Sequence, residues 1–111
     1  RVQPPPPPLL WWRVRRACPC RWITPAGKSG ACKESPNSFA EAEVVLGSLR
    51  ATTFEGCRSL CADDRGCVAF EFAGFERHWG LFSRCKIYRG VAPTRVVPAS
   101  GFRCFVKSWD G

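Results

Sequence analysis

The fold is decided by residues 52–72, which read T-T-F-E-G-C-R-S-L-C-A-D-D-R-G-C-V-A-F-E-F. This stretch predicts a short helix with two cysteines, a turn, and a strand that begins with a third cysteine. Cys57 and Cys61 are four residues apart, so they lie on one face of the helix. Each is therefore expected to bond a different element, and Cys67, at the start of the strand, is the natural partner for one of them.

Local signals delimit these elements. Thr52 and Glu55 have the spacing of a capping box, which places the start of the helix at Thr52. About ten residues later the helix is expected to end near Asp63 and Asp64, with Gly66 as the turn residue. The strand that follows alternates in the manner of a β-strand and places three apolar side chains on one face: Val68, Phe70 and Phe72.

Further strands are predicted near residues 44–46, over 81–88 and over 102–109. Residues 74–80, G-F-E-R-H-W-G, are predicted to form a loop that carries aromatic side chains and both signs of charge. Residues 89–100 contain two prolines and are predicted to form a long connection. One helix with four or five short strands indicates an α+β fold.

The eight cysteines of this 111-residue chain indicate how so small a domain is stabilised. An even number of cysteines in a short chain is typical of a disulfide framework, which persists in oxidising compartments. The alternative is structural zinc. The C-x3-C and C-x-C spacings differ from the usual C-x2-C knuckle, and His78 is the only histidine, so disulfides are favoured and no metal or cofactor is expected.

The net charge of +8 belongs mainly to the N-terminal part of the chain. Residues 1–33 contain seven Lys or Arg and no acid, whereas residues 34–111 are nearly neutral. We predict that residues 1–31 form an extended arm and residues 32–111 a domain. Five consecutive prolines favour a polyproline II rod at the start of the arm. An aromatic and basic segment follows, and it supplies the candidate contact residues Trp11, Trp12, Arg13, Arg15, Arg16 and Trp22.

The sequence Cys18-Pro19-Cys20 leaves several alternatives open. A bond between the two cysteines would close a small strained ring. Each cysteine could instead bond elsewhere in the arm, bond another chain, or stay reduced. A redox role is disfavoured, because it would require the C-x-x-C spacing.

Residues 32–109 resemble the PAN/apple domains. The resemblance rests on Cys57-x3-Cys61-x5-Cys67 followed by V-A-F-E-F, on Cys85 in C-K-I-Y, and on Cys104 in G-F-R-C-F-V-K. It implies a small antiparallel sheet packed on one short helix. It also implies three disulfide bonds, which are Cys57–Cys85, Cys61–Cys67 and Cys32–Cys104.

The function expected from this resemblance is a non-catalytic module for contacts with proteins or carbohydrates. No catalytic constellation is visible, so an enzyme is not expected. The predicted loop adds four residues to the candidate surface: Phe75, Arg77, His78 and Trp79. We expect a protein partner held through the arm, with a glycan as a second possibility. Nucleic acid is not expected beside disulfides, and no apolar run is long enough to span a membrane, so membrane contact would be peripheral or through a complex.

An alternative function belongs to a different class of protein. The chain would then be a structural accessory subunit of a membrane-associated or lumenal complex, anchored by its arm. The expected location is an oxidising compartment, with the extracellular space favoured over the thylakoid lumen or the intermembrane space.

Overall fold

The computed structural model describes residues 18, 20–33, 41–77 and 80–108. The described residues form one α-helix, α1, over Phe54–Asp63. They also form seven strands: β1 (Arg21–Ile23), β2 (Ala31–Lys33), β3 (Glu41–Val45), β4 (Cys67–Arg77), β5 (Gly80–Arg89), β6 (Arg95–Val97) and β7 (Phe102–Ser108). The coarse prediction of an α+β fold is therefore confirmed.

The strands form two antiparallel sheets. The larger sheet has five strands in the order β1-β7-β4-β5-β3, and the smaller is a two-stranded ribbon of β2 and β6. At the centre of the larger sheet, Phe70 lies opposite Ile87 on β5 and opposite Phe105 on β7. The helix covers the face that carries these side chains. The ribbon covers the other face, so the domain has three layers.

The N-cap of the helix lies one residue later than the predicted Thr52. The side chain of Thr53 accepts a hydrogen bond of 3.0 Å from the backbone N–H of Gly56, which makes Thr53 the N-cap. The hydroxyl of Thr52 instead donates to the carbonyl oxygen of Leu49 at 2.7 Å, inside a 3₁₀ segment over Leu49–Thr52. The helix ends at Asp63, as predicted.

The core between helix and sheet is built around Phe70, which is completely buried. The ring of Phe70 lies 5.1 Å from Trp22, 5.6 Å from Phe54 and 5.6 Å from Phe105, measured between centroids. Burial of a side chain of this size contributes about 2–3 kcal/mol. The aromatic cluster therefore joins β1, α1, β4 and β7 into one core.

Four disulfides connect the layers. Cys57–Cys85 joins α1 to β5, and Cys61–Cys67 joins the end of α1 to the start of β4. Cys32–Cys104 joins the ribbon to β7 across 72 residues of sequence. These are the pairs that the resemblance to PAN/apple domains implies. The fourth bridge, Cys18–Cys20, answers a question that the residues alone left open.

A buried carboxylate lies beneath the ribbon. Glu71 is only 2% exposed. Its Oε2 accepts a hydrogen bond of 2.8 Å from the backbone N–H of Cys32, and its Oε1 lies 2.6 Å from the guanidinium of Arg84. The ion pair and the hydrogen bond compensate the burial of this charge, and they fix the ribbon on the sheet.

The structure differs from the predictions at three places. Arg21–Ile23 was assigned to the extended arm, but it pairs with β7 as an edge strand of the sheet. Residues 74–80 were expected to form a loop, but β4 continues to Arg77 and β5 begins at Gly80. The connection after β5 contains β6, which pairs with β2. Residues 1–17, which include the prolines of the predicted arm, lie outside the described residues.

Within the described part of the chain, no helix is long and apolar enough to cross a membrane.

Candidate functional site

The predicted contact residues fall into different places. Trp22 is half-buried and packs on Phe70, so it contributes to the core as well as to the surface. Phe75 is half-buried in β4, and its ring lies 5.2 Å from that of Phe102. Arg77 is the last residue of β4. Seven other predicted contact residues lie outside the described residues: Trp11, Trp12, Arg13, Arg15, Arg16, His78 and Trp79.

The hairpin of β4 and β5 extends beyond the rest of the sheet. The pairing of β7 with β4 stops at Ala73 opposite Phe102, and the pairing of β3 with β5 stops at Val45 opposite Cys85. Beyond these positions, residues 74–77 pair along the sheet with residues 80–83, and Gly74 also donates a backbone hydrogen bond of 2.9 Å to Gly101. Because it projects past its neighbours, the hairpin forms a wall beside the start of α1.

A cleft of about 390 Å³ lies between this wall and the start of the helix. Four aromatic residues line it, namely Phe54, Phe72, Phe75 and Phe82. The remainder of the lining is small or hydroxylated and comprises Thr52, Thr53, Gly74 and Ser83. We call this feature the aromatic cleft. Its volume lies within the range of small-ligand pockets, and its mixture of apolar walls with a few polar groups is typical of binding sites.

Each wall of the aromatic cleft has a structural cause. Phe54 follows the N-cap of α1, so the cap fixes its position. Phe72 projects from the helix-facing side of β4, two residues after the buried Phe70. Gly74 has no side chain, which leaves the floor open next to Phe72. Phe75 and Phe82 are cross-strand partners that alternate with Phe72 and Gly74 along the hairpin, so they contribute to the lining at its end, and Phe82 is 45% exposed.

A positive charge lies beside the aromatic cleft. The guanidinium of Arg103 lies 3.8 Å from the centroid of the Phe54 ring, which is a cation–π contact. Arg103 also borders a neighbouring depression of about 580 Å³, which shares Phe72 and Gly74 with the cleft. The cation therefore lies against the Phe54 ring and lines the neighbouring depression rather than the cleft itself.

A second depression, of about 290 Å³ between α1 and β3, is lined by ion pairs. Arg50 contacts Asp63 at 2.7 Å, and Arg89 contacts Glu43 at 2.8 Å and Asp64 at 2.7 Å. Hydrogen bonds to Glu43 and Asp64 raise the pKa of Arg89. Since its carboxylates are already engaged by guanidinium groups, this depression functions as a clasp between helix and sheet rather than as an acid–base site.

Over the described residues, no group of three or more His, Cys, Asp or Glu is placed to hold a metal ion.

The sequence alone does not predict Phe54, Phe72 and Phe82 as cleft residues, or Arg103 as their cationic neighbour. From the sequence, Phe54 is expected only as a core contact of the helix, and Phe72 only as an apolar side chain on one face of its strand. Their second role depends on the register between β4 and β5, which brings the hairpin alongside the helix. A period-2 pattern in each strand does not by itself determine that register.

Comparison with family models, with curated proteins and with solved structures finds no match to this chain.

Proposed function

We propose that the chain is a non-catalytic interaction module of the PAN/apple type, which binds a protein partner through the aromatic cleft. The resemblance of residues 32–109 supports this assignment, together with a helix packed on an antiparallel sheet and the pairing of the three bridges. A carbohydrate ligand is the alternative for the same cleft.

The aromatic cleft is the observation that carries the proposal. It is concave, it is open to solvent, and it lies on elements that disulfides hold in place, since Cys57–Cys85 connects the helix to β5. A preformed site loses little conformational entropy on binding, which favours affinity. The other depression at the helix is smaller and is lined by charges that are already paired, whereas half of the residues that line the cleft are aromatic.

The chemistry of the cleft favours a protein partner. Aromatic residues and arginine are enriched at the centres of protein interfaces, where they contribute most of the binding energy. Phe54 and Arg103, whose guanidinium lies 3.8 Å from the ring centroid, provide both kinds of group beside the cleft. The same aromatic faces can stack on the apolar face of a sugar ring, which is why a carbohydrate remains the alternative.

The four disulfides indicate an oxidising environment, and we propose that the module is secreted. An accessory subunit held by the arm in an organelle lumen stays a prediction, since residues 1–17 lie outside the described residues.

The test is binding of the full chain to an array of purified extracellular proteins and of neutral and sulfated glycans. Two variants perturb the cleft, Phe82→Ser by removing an aromatic residue from its lining and Ser83→Arg by placing a large side chain at a lining position. Ile23→Ser is the matched control, because Ile23 is similarly exposed at 51% and lies on the opposite edge of the sheet.

We expect a protein on the array to bind the wild type and Ile23→Ser equally. Both cleft variants should bind it at least about tenfold more weakly, as is typical for the loss of an interface anchor. If the cleft variants instead lose binding to a glycan on the array, the ligand of the cleft is a carbohydrate. Equal binding of all four proteins, or no binding partner for the wild type, would contradict the proposal.

A further inference from the structure

The ribbon of β2 and β6 carries two like charges directly opposite each other. Lys33 on β2 is the cross-strand partner of Arg95 on β6. The neighbouring residue Cys32 points toward the sheet, because it is bonded to Cys104. Since side chains alternate along a strand, Lys33 and Arg95 share the outward face of the ribbon, and both are exposed.

Like charges in direct cross-strand positions destabilise a sheet. Within the described residues, neither Lys33 nor Arg95 is in an ion pair. Every acid whose side chain is described already contacts an arginine, and these acids are Glu43, Glu55, Asp63, Asp64 and Glu71. The described part of the chain therefore leaves the charge on the ribbon uncompensated.

Two more cations flank the ribbon. Lys86 on β5 lies opposite Glu71, and Glu71 accepts the hydrogen bond from the backbone of Cys32. The ammonium of Lys86 lies 5.3 Å from the ring centroid of Tyr88 on the same strand. Lys28 is exposed and lies two residues before Gly30. The backbone of Gly30 packs against the carbonyl of Val97, at the other end of the ribbon from Lys33 and Arg95. We call this group the basic ribbon surface, and its members are Lys28, Lys33, Lys86 and Arg95.

This surface differs from the aromatic cleft in shape and chemistry. It lies on the ribbon side of the sheet, whereas the cleft lies on the helix side. The strands of the ribbon, A-C-K and R-V-V, have no aromatic side chain to anchor a folded partner. The binding energy of this surface must therefore come from its positive charge, and the ligands that such a surface attracts are polyanions. In an oxidising compartment a sulfated polysaccharide meets this description better than a nucleic acid does.

We propose that the basic ribbon surface binds sulfated polysaccharide chains. The like-charged pair, which is unfavourable in the free protein, becomes favourable when sulfate groups lie across the ribbon. This site does not depend on the aromatic cleft, so the two proposals can fail separately.

The test uses the full chain and surfaces that carry dextran sulfate, uncharged dextran or polyglutamate. The ribbon variant is Lys33→Gln/Arg95→Gln. The matched control is Arg58→Gln/Arg65→Gln, which removes the same charge from the helix and the turn that follows it. The arginines of residues 1–17 are present in every variant, so their contribution to attraction is the same throughout.

We expect the wild type to bind dextran sulfate at a salt concentration near the physiological one and not to bind uncharged dextran. The ribbon variant should bind at least about tenfold more weakly, with a shallower dependence of log Kd on log salt concentration, because fewer counterions are released. The control should change less than about threefold. The ribbon variant should unfold at the same temperature as the wild type or a higher one, since a repulsive pair has been removed.

Three results would overturn the proposal. If the ribbon variant and the control weaken binding to dextran sulfate equally, binding depends on net charge and not on a particular site. Binding to polyglutamate as tight as to dextran sulfate would remove the preference for sulfated sugar. Absence of dextran sulfate binding by the wild type would remove the activity itself. Phe82→Ser should bind dextran sulfate as the wild type does, and its failure to do so would place the ligand in the cleft.

Discussion

The ammonium group of Lys107 on β7 lies 2.7 Å from the carbonyl oxygen of Cys61 in the last turn of α1. The same ammonium donates to the carbonyl oxygen of Asp64 at 3.1 Å. Each of these oxygens also accepts a backbone hydrogen bond, from Asp64 and Cys67 respectively, so Lys107 is a second donor to each, and the negative end of the helix dipole attracts its charge. Lys107 therefore provides a C-terminal cap from the sheet, although its burial lowers the pKa of the ammonium group.

Replacement of this lysine tests the cap. Lys107→Met keeps the length of the side chain and removes the donor, which leaves two carbonyl oxygens without their bond from Lys107. We expect the free energy of unfolding to fall by about 1–3 kcal/mol. Chemical denaturation measures it. Lys28→Met, at an exposed position, should change it by less than about 0.5 kcal/mol, and equal effects of the two variants would refute the capping role.

The carboxylate of Asp64 predicts a dependence of stability on pH. Burial alone would raise the pKa of Asp64, but hydrogen bonds from Arg89 and from the backbone of Gly66, with the charges of Arg89 and Lys107, outweigh it and lower this pKa below 3.8. A lowered pKa in the folded state stabilises the protein above the unfolded value, and this contribution disappears as the pH falls through the folded value.

Asp64→Asn should therefore be less stable than the wild type at neutral pH. The difference between their melting temperatures should shrink as the pH falls below about 4, where the unfolded carboxyl becomes protonated. Asp63→Asn is the control, because Asp63 forms only an exposed ion pair, worth less than about 1 kcal/mol. A difference for Asp64→Asn that stays constant from neutral pH to about pH 2 would contradict the role of its charge.

Gly56 is required by a close approach of two segments. A Cβ at this position would overlap the carbonyl oxygen of Arg50 and lie 2.8 Å from the Cα of Arg50, both in the backbone of the 3₁₀ segment. In an ordinary helix, Ala is more stable than Gly by about 1 kcal/mol. Here we expect Gly56→Ala to destabilise the protein by about 1–3 kcal/mol. Gly66→Ala, whose Cβ meets nothing closer than 3.4 Å, should be much milder in the same denaturation experiment.

The bridges should differ in the stability that each provides. Replacement of both Cys32 and Cys104 by serine opens the longest loop, since the two cysteines are 72 residues apart in the sequence. We expect this change to lower the free energy of unfolding by about 4 kcal/mol. Removal of Cys61–Cys67, with a separation of 6, should cost about 2 kcal/mol. Denaturant midpoints of the two double variants test this order, and a reversed order would show that loop closure does not dominate.

The sequence predicts those parts of the fold whose signals are local. The helix over Phe54–Asp63 has a cap and a turn residue, and the strands at Cys67, in residues 81–88 and after Phe102 have alternating patterns. By contrast, β1, β2 and β6 have three residues each, which is too short for a periodic pattern. They exist because distant partners, such as β7 for β1, supply the hydrogen bonds.

The candidate sites depend on contacts that the sequence does not encode locally. Gly74 and the charged residues after it are typical of a loop, and the extension of the hairpin follows from pairing with β5. The aromatic cleft needs that hairpin beside Phe54, and the basic ribbon surface needs the register that places Lys33 opposite Arg95. Both are products of long-range pairing.

The most direct test of the central claim is a nuclear magnetic resonance titration of the isotopically labelled chain with the protein that binds best on the array. Our account predicts that the largest chemical-shift changes occur at the aromatic cleft, at Thr53, Phe54, Gly74, Phe82 and Ser83. It also predicts that Ser83→Arg abolishes them. Changes confined to the clasp of Arg50, Asp63 and Arg89, or changes unaffected by Ser83→Arg, would contradict the claim that the cleft is the binding site.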